Sequence, residues 1–178
     1  MRALIRADLR AITPVDAVEE QHIRGSLDWI DSGAELFRRK KPDTPPRHLV
    51  SYFALIDGDW ILLVDHINAG LWLPSGGHVE PGEAPRQTVE REVREELGIA
   101  ADFLFPYPVF LTVTETVGLS AGHVDVSLWY ALKGCREQAL DFDRSEFHAV
   151  CWFHRDALPL DRMEPNLLRF MGKLGQLH

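Results

Sequence analysis

Hydrophobic and polar positions alternate most regularly late in the chain. Val124, Val126, Leu128, Tyr130 and Leu132 interleave with Asp125, Ser127, Trp129 and Ala131, a period of two that predicts a β-strand. Leu49 to Ile56 predicts another strand, Asp57-Gly58-Asp59 its turn, and Trp60 to Val64 the returning strand. Val109 to Thr114 and Ala149 to Phe153 read as further strands. Leu71-Trp72-Leu73 is short and apolar, and Pro74-Ser75-Gly76-Gly77 breaks it. Helical spacing appears elsewhere. Ile23, Leu27, Ile30, Ala34 and Phe37 recur at alternating steps of four and three, with Thr13 as cap, Pro14 at the first helical position and Asp16 near the positive helix end. Gly25 and Ser32-Gly33 are places where this helix can split, and Pro42, Pro45 and Pro46 end it. A helix from Pro85 to Leu97 stops at Gly98, and another from Pro165 to Leu174 closes the chain. Strands in pairs and singly, with helices between and after them, predict an α+β fold: a mixed sheet with helices packed on it.

Composition narrows the class. At 178 residues, with 46% hydrophobic and 26% charged residues, the chain has ordinary globular usage. The texture changes after the prolines. Residues 1–46 therefore read as a helical extension and Pro-rich linker, and 47–178 as the main domain; the pattern leaves open whether the extension packs on that domain or serves a homodimer. No apolar run approaches a membrane span, and the start, MRALIRADLRAITP, lacks a secretory h-region, so a cytoplasmic location is expected. Cys135 and Cys151 form no CxxC pair and read as plain thiols. Net charge is −8, with no basic stripe of the kind a duplex nucleic acid needs. The run Arg38-Arg39-Lys40-Lys41 precedes Pro42 and reads as a solvated helix end. An acidic protein can still act on an anionic substrate where a cation mediates.

The stretch Gly76 to Ile99 supplies a reason for such a cation. Glu92, Glu95 and Glu96 fall within five residues, although like charges three and four apart on a helix repel by roughly 0.2–0.5 kcal/mol per pair. Wound at about 100° per residue, Val89, Val93 and Leu97 form one stripe that can face the core, and the three glutamates fall on the adjoining arc. Carboxylates partly desolvated there resist ionisation unless a cation compensates. Oxygen-only ligands suit Mg²⁺, Mn²⁺ or Ca²⁺, and Mg²⁺ shares its shell with phosphate oxygens. The competing reading is a solvated face with an Arg91–Glu95 pair. The histidines, His48, His66 and His78 among them, show no HExxH or paired-ligand spacing, so no zinc site is expected, and no GxxxxGK[ST] loop exists.

Gly77, five residues, Glu83, seven residues, Arg91-Glu92-Val93, one residue, Glu95-Glu96, one residue, Gly98-Ile99: at every specified position this resembles the signature of the Nudix hydrolase family. With usage on the order of 5–7% for each residue type, seven fixed positions match by accident with a chance of roughly less than one in a million. The resemblance implies a loop–helix–loop set in an α/β/α sandwich with a mixed central sheet. It also implies hydrolysis of a nucleoside diphosphate linked to another group, with Mg²⁺ or Mn²⁺. Carried over by position, Glu92, Glu95 and Glu96 are the metal-binding carboxylates, and Arg91 orients a motif glutamate. Gly77 and Gly98 let the loops turn, and Glu83 supports the motif. Glu95 ranks first as general base, with Glu115, Glu137, Asp141, Asp143 and Glu146 outside the motif as later choices.

Substrate markers are sparse. Positions 114–116 are Thr-Glu-Thr, without the Pro or Tyr that marks ADP-ribose or dinucleoside polyphosphate hydrolysis in some subgroups, and SQPWPFP is absent. A nucleoside triphosphate or small nucleotide conjugate is expected. ADP-ribose or dinucleoside polyphosphate hydrolysis, or a non-catalytic nucleotide-sensing module, is the alternative. His78, inside the motif loop, and His123 with Asp125, on one side of a strand, are the expected substrate contacts. Trp72, Tyr107, Phe110, Trp129 and Trp152 are either core or a platform for a base.

Overall fold

Two-residue alternation sorts the strand side chains into two layers, and helices cover both. The computed structural model describes residues 1–39, 45–116 and 122–177. Helices α1 (Arg2–Ala11) and α2 (Ala17–Asp31) precede strands β1 (Arg47–Asp57) and β2 (Trp60–His66); β3 (Leu71–Leu73) and β4 (Ser75–His78) lead into α3 (Pro85–Leu97). Strands β5 (Phe110–Glu115), β6 (Val124–Lys133) and β7 (Phe147–His154) complete the sheet, and α4 (Leu167–Leu174) follows a short 3-10 turn. No helix among the described residues is long and apolar enough to cross a membrane.

The seven strands form one mixed sheet whose main path is β3-β2-β1-β6-β5, with β4 on β1 and β7 on β2. β1 runs parallel to β6, from Arg47 opposite Val124 to Ile56 opposite Lys133. The other pairings are antiparallel. Leu49, Phe53 and Leu55 of β1 and Val126, Leu128, Tyr130 and Leu132 of β6 pack with Val89, Val93 and Leu97 of α3. The opposite side of the same strands, Ala54, Ile56, Trp129 and Ala131, packs with Leu167, Phe170 and Leu174 of α4. The result is the α/β/α sandwich expected from the resemblance.

Three local expectations change. Pro74 does not end the strand region; Ser75–His78 is itself a strand, with Phe53 opposite Ser75 and Val50 opposite His78. Two glycines leave no side-chain alternation to read, so pairing with β1 decides the local structure. The cap of α2 is Asp16 rather than Thr13: its Oδ1 accepts the Glu19 N–H at 2.8 Å. Gly25 lies within α2, which ends at Asp31, so Ala34 and Phe37 fall outside the helix. Arg38 and Arg39 are therefore not a helix end, while Lys40, Lys41 and Pro42 lie outside the described residues.

The start of the chain also forms a helix that the sequence reading passed over. Ile5, Leu9 and Ile12 join the core on the α3 side, along with Ile23 and Ile30 of α2. Arg2 donates from Nη1 to the Ile30 carbonyl at 2.8 Å, near the C-terminus of α2 where carbonyls lack helical partners. α2 also covers the outer side of β5, which ends the main strand path. The Leu111 N–H donates to Glu19 Oε1 at 3.1 Å, and the Val113 N–H to His22 Nδ1 at 3.3 Å. These are alternate outward amides of an edge strand, the groups that otherwise invite pairing with another chain. Glu19, fully buried, also accepts Lys173 Nζ of α4 at 2.6 Å.

Candidate active site

Strand β4 and helix α3 bring the motif together. Pro85 opens α3, the Ala84 N–H donates to Gln87 Oε1 at 2.9 Å, and Ser51 Oγ of β1 donates to the Pro85 carbonyl at 2.9 Å. Val89, Val93 and Leu97 are fully buried and fix which side of the helix faces out. Gly98 ends it at φ 68°, a left-handed conformation that a side chain disfavours.

Burial separates the three glutamates. Glu96 is 5% exposed, whereas the side chains of Glu92 and Glu95 are 13% and 61% exposed. Ser75 Oγ donates to Glu96 Oε2. Desolvation nevertheless dominates and pushes the Glu96 carboxyl up to about 9, with Glu92 and Glu146 adding repulsion. Glu92 is raised for the same reason, against the opposing hydrogen bond from Arg91.

Arg91 is the hub. Its Nε and Nη2 donate to the two oxygens of Glu83, each at 3.0 Å, and its Nη1 donates to Glu92 Oε1 at 2.7 Å. Contact with Glu95 is longer, 3.3 Å. Burial alone would raise Glu83, but its bonds from Arg91 and from Thr88 win and hold it below the usual carboxylate range. Gly77 faces this assembly: a Cβ there would fall on the Glu92 carboxylate. The signature thus has a steric reading, in which the missing side chain at 77 makes room for the acid at 92.

The acids open onto a cavity of about 770 Å³. Glu92, Glu96 and Arg91 line one part, and Glu146, Arg38 and Arg39 line others; Glu95 is not in the wall. Among the described residues, Glu146 is the one acid outside the motif that lines this cavity. Asp143 accepts from Ser145 N and Oγ, and Glu115 lines a neighbouring hollow. Arg38 and Arg39, expected as a solvated helix end, are exposed but lie outside a helix and line this acidic cavity.

The second hollow, about 510 Å³, shares Gly76, Gly77 and His78 with the first. His78, His123 and Asp125 all line it, so the structure brings these expected contacts into one place. None of Trp72, Tyr107, Phe110, Trp129 and Trp152 lines either cavity; Phe110 and Trp129 are core. The residue that the sequence reading missed is His48, buried at 1% exposure opposite Asp125 in the parallel ladder. Its signal was the register of two strands distant in sequence, which neither strand displays alone.

Comparison with known proteins agrees with this architecture. The NUDIX domain family model matches residues 45–174. A CTP pyrophosphohydrolase from Escherichia coli K12 is 64% identical over 33 residues, 18% of this chain and only 24% of that enzyme's length. A nucleoside triphosphatase, NudI, from Enterobacter sp. strain 638 is 31% identical over 108 residues, 58% of this chain and 77% of its own length. Among solved structures, a MutT NUDIX hydrolase from Burkholderia pseudomallei superposes with a TM-score of 0.58 at 24% identity, over 71% of this chain and 97% of the other. The E. coli ORF135 protein gives 0.51 at 24% identity, over 74% and 90%. With the motif complete and the family model spanning most of its length, the chain belongs to the NUDIX domain family of hydrolases.

Proposed function

We propose that this chain is a divalent-cation-dependent pyrophosphohydrolase, acting on a nucleoside triphosphate or a small nucleotide conjugate. One observation carries the reading: buried Glu96 and half-buried Glu92 stand in the wall of a cavity that exposed Arg38 and Arg39 also line. Arg91 serves Glu83 and Glu92, while Glu96 has a serine hydroxyl and no cationic partner among the described residues, so its charged form waits on a cation. A set of carboxyl oxygens whose ionisation a cation would compensate fits Mg²⁺, or Mn²⁺ in its place. Glu92 and Glu96 would hold the ion. Bound there, it supplies charge neutralisation to phosphate oxygens and a more acidic water. Arg91 fixes the Glu92 rotamer, Ser75 fixes Glu96, and Arg38 and Arg39 attract the phosphate chain. Motif position favours Glu95 as proton acceptor, while the wall position of Glu146, exposed like Glu95, favours Glu146. The names of the two sequence relatives support a nucleoside triphosphate as substrate.

A panel of nucleotides with Mg²⁺, scored for phosphate and pyrophosphate release, tests the reading. Metal-dependent release from a nucleoside triphosphate is expected; tight nucleotide binding without release would make the chain a sensor instead. Gly77→Ala is expected to lower that release by about two orders of magnitude, because a displacement of about 1 Å at a reacting group has that effect. Its melting temperature should stay near the parent's, since the added methyl meets a movable carboxylate rather than backbone. Parent-like release from Gly77→Ala would remove Glu92 placement from the mechanism.

A further inference from the structure

We propose that His48, His78 and Asp125 form a second metal site, separate from the glutamates of α3, that takes a divalent transition ion such as zinc. The three residues come from β1, β4 and β6, strands that the sheet sets side by side. Their donor atoms all lie within 4.8 Å of one another. Zinc bonds of about 2.1 Å place two ligand atoms at most about 4.2 Å apart, so a small rotation of partly exposed His78 completes the set.

His48 is the strongest part of the case. Its Nδ1 lies 3.1 Å from the Pro45 carbonyl, which can only accept, so Nδ1 carries a proton, and it is at Nε2 that the neutral ring presents its lone pair. A backbone carbonyl on one ring nitrogen is the usual way that a metal-binding histidine is oriented. Nε2 lies 3.1 Å from Asp125 Oδ1, close enough for an ion pair, yet neither atom has a hydrogen bond among the described residues. Two buried acceptors thus face each other with nothing aligned between them, an arrangement that a cation resolves. The spot already draws positive charge: exposed Arg38 places Nη1 at 3.0 Å from His78 Nδ1. An entering ion displaces that side chain into solvent.

Donor chemistry separates the two sites. Two imidazoles and one carboxylate suit zinc or cobalt, whereas the all-oxygen set of Glu92 and Glu96 suits magnesium. Three protein ligands leave a coordination position open, and the residues line the 510 Å³ hollow, so a substrate nitrogen or oxygen can complete the shell.

The test is titration of the metal-free protein with zinc by calorimetry, in excess Mg²⁺, and with cobalt(II) by visible absorption. One equivalent of each is expected to bind, with a cobalt spectrum of nitrogen and oxygen ligation. Asp125→Asn and His78→Gln should each weaken zinc by at least about tenfold, and Glu92→Gln should leave it unchanged. His48→Gln should abolish the cobalt spectrum; should that buried substitution prevent folding, Asp125→Asn and His78→Gln decide alone. No saturable zinc in the parent, zinc affinity unchanged by Asp125→Asn and His78→Gln, or a thiolate charge-transfer band from exposed Cys135 or Cys151 would each overturn the site.

Discussion

Glu96→Gln is expected to lower turnover by at least about two orders of magnitude, near 2.7 kcal/mol of transition-state stabilisation, and to make the metal-free protein more stable. Both effects come from one carboxyl. The amide keeps the shape and still accepts from Ser75, so packing is retained. It loses the charge that would hold the ion, so phosphate neutralisation fails. Stability moves the other way because burial pushes this carboxyl from 4.5 up to about 9 in the folded chain. A group whose folded value is raised contributes fully below its unfolded value, and that contribution is lost as pH rises toward the folded one. Glu96 therefore weighs against the metal-free fold increasingly from pH 4.5 to about 9. Melting curves without metal should show the variant gaining on the parent between pH 5 and pH 8. Added Mg²⁺ should raise the parent's melting temperature by mass action and the variant's much less. Parent-like turnover in Glu96→Gln, measured on the best nucleotide of the panel, would exclude Glu96 as a metal ligand.

Lys173→Met should be the most destabilising single change proposed. It leaves Glu19 fully buried with no cation, and breaking a buried pair from one side costs about 3–5 kcal/mol. For a chain of this size that corresponds to roughly 6–20 °C in melting temperature. Adding Glu19→Gln should recover much of the loss. The amide oxygen can still accept the Leu111 N–H, and no unpaired charge is left inside. A double variant as unstable as Lys173→Met alone would show that methionine packing, rather than the stranded carboxylate, sets the loss. Thermal melts of the three proteins at one pH decide this.

Much of this was readable in advance, for a physical reason in each case. The period-two run at Val124 to Leu132 marks a strand where one lies, though helices on both sides bury Ser127, Trp129 and Ala131 as well; the stripe of Val89, Val93 and Leu97 reports burial directly. The motif spacing marked the acids, but not their different burial. Glu92, Glu95 and Glu96 look equivalent in a list of letters; Ser75, Arg91 and the walls around them make Glu96 buried and Glu95 exposed. Strand β4 was hidden because Gly76 and Gly77 carry no side chain to alternate. Helix α1 and its C-cap carry a readable Ile5, Leu9, Ile12 spacing, interrupted by polar residues. The His48–Asp125 juxtaposition depends on parallel register across 77 residues (125 − 48), which no local pattern encodes.

That register has a kinetic consequence. The β1–β2 hairpin closes over Asp57 and Trp60, a local step, while β1 finds β6 only after a long loop is drawn in. Loop closure grows costlier with length, and such distant pairings set the pace of folding. A nascent chain that has emerged only through α3 therefore carries every acid of the motif and no Asp125 to stand beside His48. The carboxylate helix can be complete on the ribosome while the neighbouring hollow still lacks the side that Thr114, His123, Asp125 and Glu164 supply.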